Sequence, residues 1–433
     1  MTGAARPENV VRHGRQQRSH PWLFPLQLIA VAAVVVLVSV VSVAAVAVTQ
    51  LSSSVQASTV HLEHINGASA PPGIDAITGG VNLLLVGTDT RTGQGGAFAT
   101  KDQLAGSSGA GNNDVTILLH IAQDHRSAMV VSFPRDLILN LPPCPSPRGG
   151  FYPASSNMML NSTLSRGGLA CPVLTIEKLT GITIPYAASI SFDGVAAMSD
   201  AVGGVTVCVA NSIDDPYTGL TLSAGEHTIQ GAVALAFVRT RHGVGDGSDL
   251  GRISNQQVFL SALARTIESE GVLKNPLQLY GLASAATENM QLSDSLARLD
   301  TLVGIALALK GIPLQNVVMI QYPTTSSPLF PNRVVPVAFT DAAVNKALIN
   351  DLAVSLTGTT GRGAVVDTKP TAVATPTPTP TPAAVPAAGS PKGSATRSPS
   401  PAPTAAPVAV TALPASVTGQ TAQEQTCSKG NGK

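Results

Sequence analysis

The stretch VNLLLVGTDTR, residues 81–91, decides the fold. Residues 81–87 are short, aliphatic and apolar at odd and even positions alike. Such a run reads as a strand buried on both faces. VTILLHIA (115–122) and SAMVVSF (127–133) have the same character, and LAFVRTR (235–241) reads as a further strand. TIEKLTG (175–181), FDGVAAMSDAVGG (192–204) and SNQQVFLSALARTIESEG (254–271) read as helices stopped by Gly. Strands alternating with helices predict an α/β domain over residues 81–365 with a covered sheet.

The rest of the 433 residues divides by composition. Residues 28–48 form 21 consecutive uncharged, mostly apolar positions. At 1.5 Å rise per residue they cross a bilayer core of about 30 Å, and they are too long for the apolar region of a cleavable signal. A transmembrane helix is expected over 23–50, behind a basic tail over 1–22 that carries Arg6, Arg12, Arg15 and Arg18 against Glu8. Positive flanks stay inside, so the N-terminus is expected in the cytoplasm and everything beyond the span outside the cell membrane. Residues 51–80 read as a stalk. Residues 366–433, rich in Pro, Thr and Ala, read as a disordered tail.

The formal charge of +1 excludes a general nucleic-acid binder, which would show a basic domain. Cys144, Cys171, Cys208 and Cys427 lack zinc-site spacing. Cys144 and Cys171 flank one loop-rich stretch and are the first candidate pair. Cys208 has no obvious partner.

Only 12% of the chain is charged, yet AFVRTRHGVGDGSDLGRISNQQ (236–257) crowds three arginines and two aspartates around a Gly-rich turn. On a strand, Phe237, Arg239 and Arg241 would share one face. Asp249 can cap a following helix on which Arg252 and Gln256 share a face. Three arginines converge only around an anion or several carboxylates. Their planar forks suit phosphate, and Asp246 and Asp249 offer the alternative of ion pairs. Asp89 ends one strand, with Arg91 beyond it, and Asp114 opens the next. As a pair they would be hard ligands for Mg²⁺; singly they would be turn caps. Arg135 and Asp136 follow a strand directly, where open α/β sheets bind ligands.

Taken in order, LLLVGTDTR, NNDVTILLHI, VVSFPRDL, TIEKLTGITIPYAASISFDGVAAMSDAVGGVTV, LSAGEHTIQGAVALAFVRTR and SDLGRISNQQVFL resemble the LytR–CpsA–Psr family. These are membrane-anchored enzymes that attach glycopolymers to bacterial peptidoglycan. The resemblance spans residues 81–270 and the anchor. It implies a three-layer α-β-α sandwich with a mixed central sheet, and a lipid pocket with a pyrophosphate at its mouth. It implies Mg²⁺ (or Mn²⁺) on Asp89 and Asp114, and pyrophosphate contacts from Arg135, Arg239, Arg241 and Arg252. Arg91, Asp136, Asp249 and Gln256 fall in the same motifs as orienting residues. The substrate implied is a polyprenyl-pyrophosphate-linked glycan. A peptidoglycan hydroxyl would attack its glycan-proximal phosphate, leaving a phosphodiester and releasing polyprenyl phosphate. Asn112 and Asn255 depart from the family pattern, since many relatives carry Arg at both positions. A polyprenyl-pyrophosphate phosphatase and a non-catalytic wall-binding or regulatory membrane protein are the rival readings.

Overall fold

The computed structural model describes residues 59–62, 80–90, 111–269, 276–367 and 410–431. The strands used below are β1 (Thr59–Val60), β2 (Val81–Thr88), β3 (Asn113–Ile121), β4 (Ala128–Phe133), β5 (Tyr186–Ile190), β6 (Val205–Asn211), β7 (Gly225–Ile229), β8 (Met290–Ser293), β9 (Val317–Gln321), β10 (Ala364–Val366), β11 (Gly419–Thr421) and β12 (Thr426–Lys429). The helices used below are α1 (Ala170–Thr180), α2 (Phe192–Ala201), α3 (Gly231–Arg239), α4 (Asp249–Ser269), α5 (Leu299–Lys310) and α6 (Ala338–Ile349).

The central sheet runs β1-β8-β5-β2-β3-β4-β9-β11 among the described residues. It is mixed: β2 is parallel to β5 and antiparallel to β3, while β4 is parallel to β9. Alternation along the aliphatic runs serves both faces. Leu84, Val86, Leu118 and Val131 pack with Val173 and Ile176 of α1 and Val344 of α6. Leu83, Ile117, Leu119 and Val130 pack on the other side with Ile305 of α5 and, at the margin, Leu260 of α4. Helices on both faces are why these strands carry no polar side. A second sheet, β7-β6-β12-β10, packs under α3 and α4 through Val205, Val207, Ile229, Phe237 and Phe259.

Two expectations are corrected. LAFVRTR is not a strand; residues 231–239 form α3. Its apolar residues satisfy either period over so short a run. Ala234 and Phe237, three apart, both enter the core, and Arg239 closes the last turn, where the helix dipole favours a cation. Phe237 is therefore buried, not on a face shared with Arg239 and Arg241.

Of the tail expected to be disordered over 366–433, residues 410–431 are folded, while residues 368–409 lie outside the described residues. There β11 extends the central sheet beside β9, and β12 inserts between β6 and β10. Polar composition hid this, because the polar groups are the adhesive. α4 buries Ser254, Asn255, Gln257 and Ser261. Gln420 Nε2 donates to Ser261 Oγ at 2.6 Å and to the Gln257 carbonyl at 3.1 Å, and Ser428 Oγ donates to Asn255 Oδ1. Buried polar groups need partners, and the C-terminal strands supply them. Gly419 sits so near β9 that a Cβ there would lie 2.1 Å from the Met319 carbonyl oxygen.

Cys144 and Cys171 are bonded, as expected. Cys208 finds its partner in Cys427 across β6 and β12. Within the expected stalk, β1 pairs with β8. The expected membrane span over 23–50 lies outside the described residues, and no helix among those described is long and apolar enough to cross a membrane.

The Cys208–Cys427 bond spans 219 residues of sequence. Closing so long a loop constrains the unfolded chain strongly, and removing such a bond costs about 2–5 kcal/mol. The C208S/C427S variant should lose stability on that scale in urea unfolding. An unchanged midpoint would show that β12 is held without the bond.

Candidate active site

The C-terminal ends of β2, β4 and β5 and the start of β3 meet at one edge of the central sheet. A cleft of about 200 Å³ opens there. Thr88, Asp114, Arg135 and Phe192 line it from the sheet side. Arg239, Arg241, Arg252 and Gln256 line it from α3, α4 and the turn between them. The sheet edge is thus where strand-end chemistry meets the Gly-rich turn.

A carboxylate–arginine lattice ties these elements together. Arg135 donates from Nη1 to Asp114 Oδ1 at 2.7 Å, and its backbone N–H donates to Asp249 Oδ2 at 3.2 Å. Arg252 reaches Asp249 Oδ1 at 2.6 Å and donates to the Asp114 carbonyl at 2.6 Å. Arg252 and Asp249 are buried. Burial alone would lower the Arg135 pKa, but Asp114, Asp249 and Asp136 outweigh it and raise it. The side chain is fixed as a cation.

Asp249 is therefore not the helix cap the sequence suggests. Ser248 occupies that place, its Oγ accepting from the Gly251 N–H at 3.2 Å. The cap one residue earlier frees Asp249 to hold two arginines. Asp136 sits between Arg135 (3.9 Å) and Arg333 (3.4 Å), an arginine the sequence does not single out. Gln256 donates to the Val238 carbonyl at 2.9 Å, pinning the end of α3 against α4.

Arg239 lies with its guanidinium 4.1 Å from the centre of the Phe192 ring, a cation–π seat. Arg241 donates to His242 Nε2 at 3.1 Å. Its turn is organised by Asp215, which sequence reasoning misses. One oxygen of Asp215 accepts from Thr240 Oγ1 at 2.6 Å and from the N–H groups of Arg241 and Gly243 at 3.2 and 3.3 Å. The other accepts from the Tyr217 N–H at 3.0 Å. No local signal marks Asp215, because its partners are mostly backbone groups far along the chain.

Asp89 accepts from the Asn112 N–H at 2.6 Å, and its other oxygen faces the Asn112 amide at 3.5 Å. It stands beside the cleft rather than in its lining. Arg91 lies outside the described residues. Asn255 is buried and donates from Nδ2 to the Phe237 carbonyl at 2.5 Å, so it joins α3, α4 and β12. A longer charged side chain has no room in that role.

The profile of the LytR_cpsA_psr family matches residues 38–348. This chain belongs to that family. It is 30% identical over 271 residues to the cell wall biosynthesis protein LcpA of Corynebacterium glutamicum, covering 58% of this chain and 51% of the relative. It is 29% identical over 182 residues to the polyisoprenyl-teichoic acid–peptidoglycan teichoic acid transferase TagU of Oceanobacillus iheyensis, covering 42% and 50%. The chain spans about half the length of these curated relatives. The crystal structure of protein gbs0355 from Streptococcus agalactiae shares the fold, with a TM-score of 0.51 and 22% identity over 64% of this chain and 89% of that one.

Removing one partner of a buried pair leaves the other charge uncompensated, at about 3–5 kcal/mol, whereas exposed pairs contribute below about 1 kcal/mol. D249A should therefore destabilise on the larger scale, and R362A, which removes the exposed Arg362–Asp246 pair, on the smaller. Equal midpoints in urea would refute the lattice as a structural element.

Burial alone would raise the Asp215 pKa, but the Thr240 hydroxyl and three N–H groups outweigh it and hold the carboxyl below its ordinary value. A depressed pKa stabilises fully above the unfolded value of about 3.9 and loses that contribution as pH falls through the lower folded value. Amide exchange at Arg241 and Gly243 should stay slow from neutrality down to about pH 4. D215N should raise it already at neutral pH.

Proposed function

We propose that this protein transfers a glycan from polyprenyl pyrophosphate to peptidoglycan as a phosphodiester. The observation that carries the reading is the lining of the cleft. Four arginines face two aspartates there, beside an apolar wall of Val115, Ile190, Val195, Leu235 and Val238. That combination suits a diphosphate joined to a hydrocarbon chain. The name of the Oceanobacillus iheyensis relative, a transferase of polyisoprenyl-linked teichoic acid to peptidoglycan, supports the same chemistry.

Phosphoryl transfer asks a protein mainly for positioning and charge stabilisation. The peptidoglycan hydroxyl oxygen bonds to the glycan-proximal phosphorus, and its proton passes through solvent to the departing polyprenyl phosphate. The bond from that phosphorus to the bridging oxygen breaks, and polyprenyl phosphate leaves with the electron pair. Arg135 and Arg252, locked by Asp114 and Asp249, hold one phosphate. Arg239 and Arg241 stabilise charge growing on the other. Asp114 gives only Oδ1 to Arg135, so its second oxygen, together with an Asp89 carboxylate released from Asn112, would suit Mg²⁺ or Mn²⁺ in kind. Such an ion would supply charge neutralisation at a phosphate oxygen. In this reading residues 23–50 are a single membrane span with the N-terminus cytoplasmic. The α-β-α domain then works outside, next to the leaflet that carries the lipid.

The test is transfer by the full chain in detergent, from a labelled polyprenyl-pyrophosphate glycan to peptidoglycan strands. Loss of one preorganised cation costs about 10²–10³ in rate, and R135A and R241A should each fall by that much. Label released without entering peptidoglycan would replace the transferase with a phosphatase.

A further inference from the structure

Among the described residues of this aromatic-poor chain, most tyrosines are put away. Tyr186 and Tyr322 are 2% and 1% exposed, and Tyr152 lies half-buried under Arg166. Tyr217 is 79% exposed and stands on the rim of the cleft. Its ring centre is 4.5 Å from that of His242, the residue following Arg241. The two rings form an open aromatic ledge beside the arginines.

The ledge is built rather than loose. Tyr217 sits in the tight turn between strands Ile213–Asp215 and Leu220–Leu222. The N–H groups of Thr218 and Gly219 donate to the Asp215 carbonyl at 3.2 and 2.9 Å, and the Tyr217 N–H donates to the Asp215 side chain. The same carboxylate holds the N–H of Arg241. One buried group therefore fixes the ring and the phosphate-binding turn in a single frame.

We propose that Tyr217, with His242 beside it, is a saccharide-stacking subsite. The inference rests on the transferase reading and extends it to what sits next to the diphosphate. A pyranose presents a flat face of C–H groups and a rim of hydroxyls. An aromatic ring offers it apolar contact, and the tyrosine hydroxyl offers a polar handle. A ring attached directly to a phosphate gripped by Arg241 would lie within reach of the ledge, and so would a sugar of the incoming peptidoglycan strand. The prenyl chain has its own place against Val115, Ile190 and Val195.

Equilibrium binding to the full chain in detergent separates these ligands. The probes are farnesyl diphosphate, farnesyl-diphospho-N-acetylglucosamine and a soluble peptidoglycan tetrasaccharide. Y217A should weaken one of the two saccharide probes about tenfold, which is about 1.4 kcal/mol. Y217F should bind it nearly as the parent does. Farnesyl diphosphate should bind Y217A unchanged. The saccharide probe that loses affinity identifies donor or acceptor as the sugar on the ledge. Unchanged binding of both saccharides would overturn the subsite, and so would an equal loss for farnesyl diphosphate, which would mark the tyrosine as structural. Because binding is read without turnover, the subsite can stand or fall apart from the transfer reaction.

Discussion

The bond on which the site depends is the one Asp249 makes to two arginines at once. Its carboxylate takes the backbone N–H of Arg135 on one oxygen and the Arg252 guanidinium on the other. Arg252 in turn grips the Asp114 carbonyl, and Arg135 grips the Asp114 side chain. The start of α4, the start of β3 and the turn after β4 are thereby one rigid unit. Like charges at this density would repel. The aspartates hold Arg135 and Arg252 in place, and Arg239 and Arg241 bring further positive charge to the lining. A positive cleft with low-exposure walls strengthens each charge within it, which is what a reaction of diphosphates needs.

A second organising group, Asp215, does for the rim what Asp249 does for the floor. It is fully buried and works mainly through backbone N–H groups. Behind both stands the C-terminal segment. Its strands satisfy the polar side of α4, and the N–H of Gly245 in the Arg241 turn donates to the Lys429 carbonyl at 2.8 Å. The segment 410–431 therefore supports the turn that carries Arg241.

Much of this was legible in the sequence where one residue carries one signal. The strands 81–88, 113–121 and 128–133 announce themselves by being apolar on both faces, and Arg135, Arg239, Arg241 and Arg252 do meet in one cleft. Asp114 meets them there, while Asp89 stands aside with Asn112. LAFVRTR misleads because a short apolar run satisfies two periods. Asp249 misleads because Ser248 competes for the cap. The tail misleads because Gln420 and Ser428 look solvent-loving until α4 shows them a buried polar partner. Asp215 and the Cys208–Cys427 bond were not legible at all, since both depend on pairings between distant parts of the chain.

The most direct test of the account is a crystal structure of the chain with a short prenyl diphosphate. The diphosphate should lie within hydrogen-bonding distance of Arg135, Arg239, Arg241 and Arg252, with the prenyl chain against Val115, Ile190 and Val195. A diphosphate bound elsewhere, with the Asp249 lattice closed around an empty cleft, would contradict it.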